Sequence, residues 1–152
     1  MKILVAVDLS PASQQVVDAA ALVARRSGGE TYILHVAEPE PDFVGYETGP
    51  DEVRDQVAAE FRAEHRAVQA LADGLRDQGI DATALLVRGP TVEITIDQAR
   101  KLEADLIVVG SHGRSAIYDV LVGSYSAGIL RTSPVPVLVV PSRKKKQRKR
   151  GS

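Results

Sequence analysis

The sequence predicts an α/β domain: an open, all-parallel five-stranded sheet with helices packed on both faces. Short continuous apolar runs alternate along the chain with longer segments whose apolar residues recur at helical spacing, the pattern of repeated β-α-β units. The runs read as strands buried on both faces, as a parallel sheet requires. A length of 152 residues suits a single domain that buries its core without help from metal or disulfide.

Residues 3–7 form the first strand. Ser10 and Pro11 then supply an N-cap and a first-turn proline for a helix whose apolar positions include Val16, Ala20 and Val23, and Gly28 with Gly29 ends it. A second strand over residues 31–36 gives way to a Pro/Glu/Gly-rich stretch, Glu38 to Pro50, which has no apolar period and reads as a mobile loop. Asp51 opens a long helix in which Val53, Val57, Phe61, Val68, Leu71 and Leu75 recur at spacings of four, four, seven, three and four. His65 falls on or beside that stripe. Asp77-Gln78-Gly79 stops the helix, residues 80–87 give a third strand, and Gly89-Pro90 turns into a helix over residues 91–103. Residues 106–109 are the fourth strand. After a glycine-punctuated loop, a helix over residues 124–131 leads through Ser133-Pro134 into the last strand, Val137–Val140. There is no internal repeat.

The composition excludes several chemistries. Cysteine is absent, which removes disulfides, thiolate metal sites and a cysteine nucleophile together. Aromatic residues make up only 4%, so the core is built of Val, Ile, Leu and Ala and little aromatic surface is left for stacking bases. No apolar stretch approaches the roughly 18 residues of a membrane span, and neither a signal peptide nor an anchor is visible, which fits a cytoplasmic protein. The formal net charge of −1 hides an asymmetry: seven of the 19 Lys and Arg residues lie between Arg143 and Arg150, with no acid among them. Residues 1–142 therefore hold 12 basic against 20 acidic side chains, a formal charge of −8, and residues 143–152 form a basic tail.

Two stretches carry chemistry, at the carboxyl ends of the first and fourth strands. Open parallel sheets bind ligands at that edge, where the strand order reverses. A strand order of 3-2-1-4-5 makes these two strands neighbours and sets Asp8 across one crevice from Gly110. After the fourth strand, Gly110-Ser111-His112-Gly113 leads through nine residues to Gly123-Ser124-Tyr125-Ser126. Gly110 and Gly113 allow close backbone approach to a phosphate chain. Gly123 and Ser124 begin a helix whose N-terminus offers amide donors and a favourable dipole, and the hydroxyls of Ser124 and Ser126 add donors. Asp8 suits ribose hydroxyls or a Mg²⁺ ion, and the apolar ends of strands one and two could flank a base. The turn Val7-Asp8-Leu9-Ser10-Pro11 contains no glycine, which argues against a dinucleotide fold, and no G-x-x-x-x-G-K-[ST] occurs.

The stretch Val108-Val109-Gly110-Ser111-His112-Gly113-Arg114, the spacing G-x2-G-x9-G-[ST] completed by Gly123-Ser124, and the ending Pro134-Val135-Pro136-Val137-Leu138-Val139-Val140 resemble the ATP-binding branch of the universal stress protein family. Val5-Ala6-Val7-Asp8-Leu9-Ser10 resembles that family's opening strand and turn. The resemblance spans about residues 1–142 and implies a Rossmann-like, adenine nucleotide alpha hydrolase-like fold. It implies a site for ATP, ADP or AMP in which Asp8 and Val36 contact the nucleoside, backbone near Ala6 and Val109 lines the adenine, and Gly110, Gly113, Gly123, Ser124 and Ser126 contact phosphates. It also implies a homodimer through the last strand, Val137–Val140. Tyr125 departs from the pattern, standing where the family usually has a small aliphatic residue, where it would shield or crowd the phosphates. The basic tail lies outside the pattern.

Blander readings stand beside these. Asp8 also suits capping of a local turn. His112 has no evident carboxylate or serine partner and reads as a loop residue beside the phosphates. Arg114 either reaches a γ-phosphate or is a solvated loop arginine. His35 reads as a sheet-edge residue and His65 as a partly buried helix residue. The tail, Arg143 to Arg150, is either a disordered solubilising extension or a sequence-independent hook for nucleic acid or another anionic surface. The sequence thus predicts a nucleotide-binding regulatory module with at most weak ATP hydrolysis. Its rivals are a slow hydrolase or phosphoryl-transfer enzyme, with Asp8 holding Mg²⁺ and His112 or Arg114 steadying the transition state, and an adapter tethered by its tail.

Overall fold

In the computed structural model, which describes residues 1–39, 51–111 and 123–142, strand and helix alternate from end to end. The order is β1 (Lys2–Ala6), α1 (Ser13–Ser27), β2 (Glu30–Ala37), α2 (Asp51–Asp77), β3 (Ala82–Arg88), α3 (Thr91–Leu102), β4 (Leu106–Gly110), α4 (Ser124–Thr132) and β5 (Val137–Val140). All pairings are parallel and the strand order is β3-β2-β1-β4-β5, so successive strands are added first on one side of β1 and then, from β4, on the other.

The apolar runs dictate this arrangement because each strand must be covered twice. In β1, Ile3 and Val5 face the side packed by α1 and α2, where they meet Val17, Ala20, Val68 and Leu75. Leu4 and Ala6 face the other side, where α3 and α4 bring Ile96, Ala99 and Ile129. Period-two alternation along one strand thus feeds two separate cores. The helices end as their sequences require. Gly28 takes a left-handed φ of 67° as the C-cap of α1, its N–H donating to the Ala24 carbonyl. Gly89 has φ 145°, a region that side chains disfavour, and a Cβ there would also fall 2.9 Å from Ile94.

Two sequence expectations change, and a third lies mostly outside what the structure describes. Helix α1 starts at Ser13, not at Pro11, and its N-cap position is Ala12 without a side-chain cap. Ser10 instead accepts the Ser13 N–H on its backbone carbonyl, and its own N–H bonds Asp8, so the Ser-Pro signature makes a turn before the helix. His65 is exposed, while Glu64 takes the inward position. The stripe of α2 is centred by the fully buried Val68, Ala72 and Leu75, and position 64 lies nearer that centre line than position 65. The stretch Glu38 to Pro50 falls, from residue 40 onward, outside the described residues.

The stagger of the strand ends creates the functional edge. Strand β1 last pairs β2 at Ala6↔Leu34 and β4 at Val5↔Val108. Strand β2 continues to Ala37 and β4 to Gly110, so the central strand stops short of both neighbours and leaves a notch at the carboxyl edge. The cores hold this notch in place. Leu4 is fully buried in the middle of β1, and Leu4→Ala is expected to cost about 2–5 kcal/mol through lost transfer energy and the cavity left behind. Urea denaturation checks this as a lower midpoint with an unchanged slope.

Candidate functional site

Two adjoining chambers open from the notch, sharing Asp8, His35, Val36 and Thr91, and so form one crevice. One chamber is mainly apolar and runs between the N-terminal ends of α1 and α4, reaching Ala6, Ser13, Gly110 and Tyr125. The other is more polar and runs under α2, reaching Glu60, Phe61, Glu64 and Arg88.

Asp8 stands at the junction because β1 ends just before it. Its Oδ1 accepts the Ser10 N–H at 2.9 Å and the Ser13 hydroxyl at 3.2 Å, closing an Asx-type turn that aims the carboxylate at the start of α1. The turn forces Leu9 to φ 62°. A left-handed leucine costs about 1–2 kcal/mol, and a partly buried side chain packed against the α1/α2 core offsets it. The glycine-free turn therefore still uses a left-handed residue, supplied by a leucine.

His35 extends the polar framework. Its Nδ1 lies 2.9 Å from the Val7 carbonyl and must carry a proton to bond it. The β1–β2 ladder closes at 2.9 Å with Val7 N–H donating to Leu34, and the imidazole then occupies the Val7 carbonyl. On the other side of the ring, Nε2 lies 3.4 Å from Glu64 Oε2, joining α2 to the end of β1 through one side chain. His35 is thus a buried bracket between elements of the crevice wall. In the same chamber the Arg88 guanidinium lies 4.1 Å from the centroid of the Phe61 ring.

On the β4 side, Ser111 is the hub. Its N–H donates to the Val140 carbonyl at 2.9 Å, its carbonyl accepts the Gly123 N–H at 2.6 Å, and its hydroxyl oxygen accepts the Ser142 N–H at 3.1 Å. Ser126, also buried, donates its hydroxyl to the Gly110 carbonyl. These bonds fasten the start of α4 to the end of β4. The Gly123 N–H and the Ser126 hydroxyl, expected as ligand donors, are spent on that fastening. Donors remain in the first turn of α4, whose Ser124, Tyr125 and Ser126 amides lack helical partners by geometry. Gly123 has φ −70° and ψ 166°, extended backbone open to any residue, so no strain calls for glycine there. Ser124 is exposed at the first helical position.

Ala6 and Gly110 reach the crevice and Val36 borders both chambers, whereas Val109 is fully buried in the α3/α4 core. His112, Gly113, Arg114 and the tail from Arg143 to Arg150 lie outside the described residues. Sequence reasoning missed Ser13, Thr91 and the structural use of Ser111. Thr91 was within reach, since it opens the helix that follows β3 at the ligand edge.

Tyr125 bridges the α4 and α3 helices. Thr95 donates its one hydroxyl proton to the Thr91 carbonyl, so the phenol donates to Thr95 Oγ1 at 2.7 Å. Burial pushes the phenol up to about 12; Thr95, whose hydroxyl can turn to face a phenolate, pulls it partly back, and the Asp8 carboxylate adds a further upward push. The folded-state value lies above the ordinary 10.0, so this contribution to stability is fully present below pH 10 and is lost as pH rises through about 12. The stability gap between the unaltered chain and Tyr125→Phe should be constant to pH 10 and shrink above it, as read by urea unfolding at each pH. Ser111→Ala removes the acceptor for Ser142 and should cost about 1 kcal/mol, with faster hydrogen exchange at the Ser142 amide.

Residues 1–141 match the family model described as the universal stress protein family. A universal stress protein A homologue of Coxiella burnetii is 35% identical over 139 residues, spanning 91% of this chain and 94% of that protein. The solved UspA of Lactobacillus plantarum superposes with a TM-score of 0.78 at 26% identity, covering 92% of this chain and 97% of that one. A universal stress protein solved in complex with cAMP superposes with a TM-score of 0.66 at 26% identity, covering 93% and 96%. Fold and sequence agree, and the chain belongs to the universal stress protein family.

Proposed function

We propose that this protein binds an adenine nucleotide, ATP foremost, in the crevice at the carboxyl ends of β1 and β4 and acts as a nucleotide-dependent regulatory module in the stress response. The observation that carries this reading is the notch itself. An apolar chamber ends at the first turn of α4, so a ligand lying in it has apolar walls at one end and orphan amides with a favourable dipole at the other. The related universal stress protein in complex with cAMP supports the same ligand class.

In this reading the nucleoside lies over the end of β1. The backbone of Val36, two residues past the last β1–β2 rung, offers an amide edge to adenine, and Ala6 with the β4 end supplies the apolar wall. Asp8 accepts from the ribose hydroxyls. The phosphates run toward Gly110, Gly113 and the amides of Ser124, Tyr125 and Ser126, with the Ser124 hydroxyl and Arg114 at the outer end. Gly123 then serves by leaving room for the phosphates, because its N–H is bonded to Ser111. Among the described residues no group of His, Cys, Asp and Glu could hold a metal unaided. A Mg²⁺ ion would be held by the phosphates, with Asp8 as its protein carboxylate.

The edge strand β5 supports a homodimer. Its Val137–Val140 run pairs only β4 among the described residues and exposes Leu138, and a second copy adding there would cover both backbone edge and leucine.

The deciding measurement is to purify the protein natively, denature it and identify any released nucleotide by chromatography and mass. Released adenine nucleotide is expected from the unaltered chain, and at least tenfold less from Gly123→Val/Ser124→Ala, which fills the space and removes the hydroxyl (roughly 1.4 kcal/mol or more). An empty protein that also fails to bind ATP at millimolar concentration would overturn the reading.

A further inference from the structure

His35 lines both chambers, and its ring faces a carboxylate that the nucleotide reading leaves unused. Only 10% of the histidine side chain is exposed. The Val7 carbonyl, 2.9 Å from Nδ1, can only accept, so Nδ1 carries a proton. In a neutral ring Nε2 is then an acceptor, and 3.4 Å away it meets Glu64 Oε2, a second acceptor. That oxygen is closed off from solvent and has no hydrogen-bond donor among the described residues. Two buried acceptors this close leave no room for a water between them, so the species able to join them is a single extra proton. A carboxylic acid is ordinarily the stronger acid of the two groups, which assigns that proton to the ring.

The same ring spans the two nucleoside contacts of the proposed site. Val7 precedes Asp8 and His35 precedes Val36, so the Nδ1–Val7 bond sets the spacing between the ribose acceptor and the backbone edge offered to adenine. Around the ring the charges are uneven. Asp8, Glu38 and Arg88, at or just past the ends of β1, β2 and β3, line the chambers with Glu60 and Glu64 of α2. Helices α1, α3 and α4 bring only uncharged side chains to these walls, the Tyr125 phenol among them. In the α1/α4 chamber His35 is, among the described residues, the one wall side chain able to carry positive charge. We propose, building on the nucleotide reading above, that His35 is the positioning residue of the nucleoside end and works as an imidazolium clamped by Glu64, so that nucleotide affinity depends on one proton. With the proton in place, the ring is pinned between Val7 and α2 and the pair adds no net charge to the walls. Without it, a lone pair faces a carboxylate, the clamp opens, and a buried negative charge confronts an anionic ligand. Affinity is therefore highest on the acid side and falls as pH rises through the range in which imidazole gives up its proton, about pH 5 to 8.

The test uses the full chain and two variants, His35→Asn and Glu64→Gln. Asparagine places an amide nitrogen near the position of Nδ1 and keeps a donor for Val7, but it neither titrates nor reaches Glu64. Glutamine at 64 offers an N–H to the Nε2 of a neutral ring, which keeps the clamp without the extra proton. Each chain is titrated calorimetrically with ATP in EDTA from about pH 5.5 to 8.5, and ratios between chains cancel the ionisation of the ligand itself. ATP affinity of the unaltered chain relative to His35→Asn should fall about tenfold across that range, the worth of one charge-assisted hydrogen bond. At pH 8.5 Glu64→Gln should bind ATP about tenfold more tightly than the unaltered chain, a rescue that a purely structural role for the pair does not give. Nitrogen-15 spectra of the His35 ring should show both nitrogens protonated at pH 5.5 and Nδ1 alone at pH 8.5. A ratio to His35→Asn that does not change with pH overturns the proposal and leaves the nucleotide reading standing, as does an Nε2 without a proton at pH 5.5. Should His35→Asn fail to fold, the half-buried Glu64→Gln decides alone: affinity at pH 8.5 no higher than that of the unaltered chain overturns the proposal. If ATP binds the unaltered chain at no pH, both readings fall.

Discussion

Everything at the functional edge depends on β1 ending before the strands on either side of it do. A central parallel strand cannot end early without exposing the backbone edges of its neighbours, and buried edges must be bonded or wetted. This fold uses the two sides differently. On the β2 side, the His35 ring takes the Val7 carbonyl, one residue past β1, and lies between it and Glu64 of α2. On the β4 side, Ser111 and Ser126 draw α4 in until its first turn faces the gap. The crevice is thus a defect in the sheet kept open by polar brackets, with hydrophobic cores on both faces preventing its collapse.

The brackets explain why several side chains that look like ligand contacts are structural in the fold. A hydroxyl or amide at a helix start can bond a ligand or a neighbouring strand, and the choice depends on how closely that strand approaches. Here β4 comes near enough to engage the Gly123 amide and the Ser126 hydroxyl. The donors left over are backbone amides of α4, whose identity no side-chain pattern records. Tyr125 follows the same logic: its phenol bonds Thr95 across to α3, so a residue that would crowd the phosphates also fixes the spacing of the helices that bound them.

The strands, the helices and their order were legible because each is encoded redundantly, by apolar runs, by helical spacing and by turn residues. Strand β5 is found over the predicted Val137–Val140 range, where prolines and a continuous valine-leucine run leave little freedom. The crevice was legible in position, through Asp8 and Gly110 at the ends of adjacent strands, and much less so in its bonding. Ser10-Pro11 carries a helix-start signal, yet Asp8 outcompetes it by capturing the Ser10 amide. His65 and Glu64 fit the α2 stripe almost equally on paper, and only the packing of Val68 and Leu75 decides between them. Ser111 sits inside a glycine motif that draws attention to its neighbours, although it makes three of the bonds that hold the site together.

Met1 and Ser142, the first and last described residues, sit on opposite rims of the sheet. The Met1 carbonyl accepts the Glu30 N–H at 2.9 Å, and a Cβ at Gly29 would fall 2.7 Å from that same oxygen, so the amino end is held at the rim away from the crevice. Strand β1 alone separates that rim from the crevice by about 17 Å. A purification tag, fluorophore or fused domain joined before Met1 would therefore leave the crevice untouched, whereas the same cargo joined after Ser142 would be delivered to its mouth.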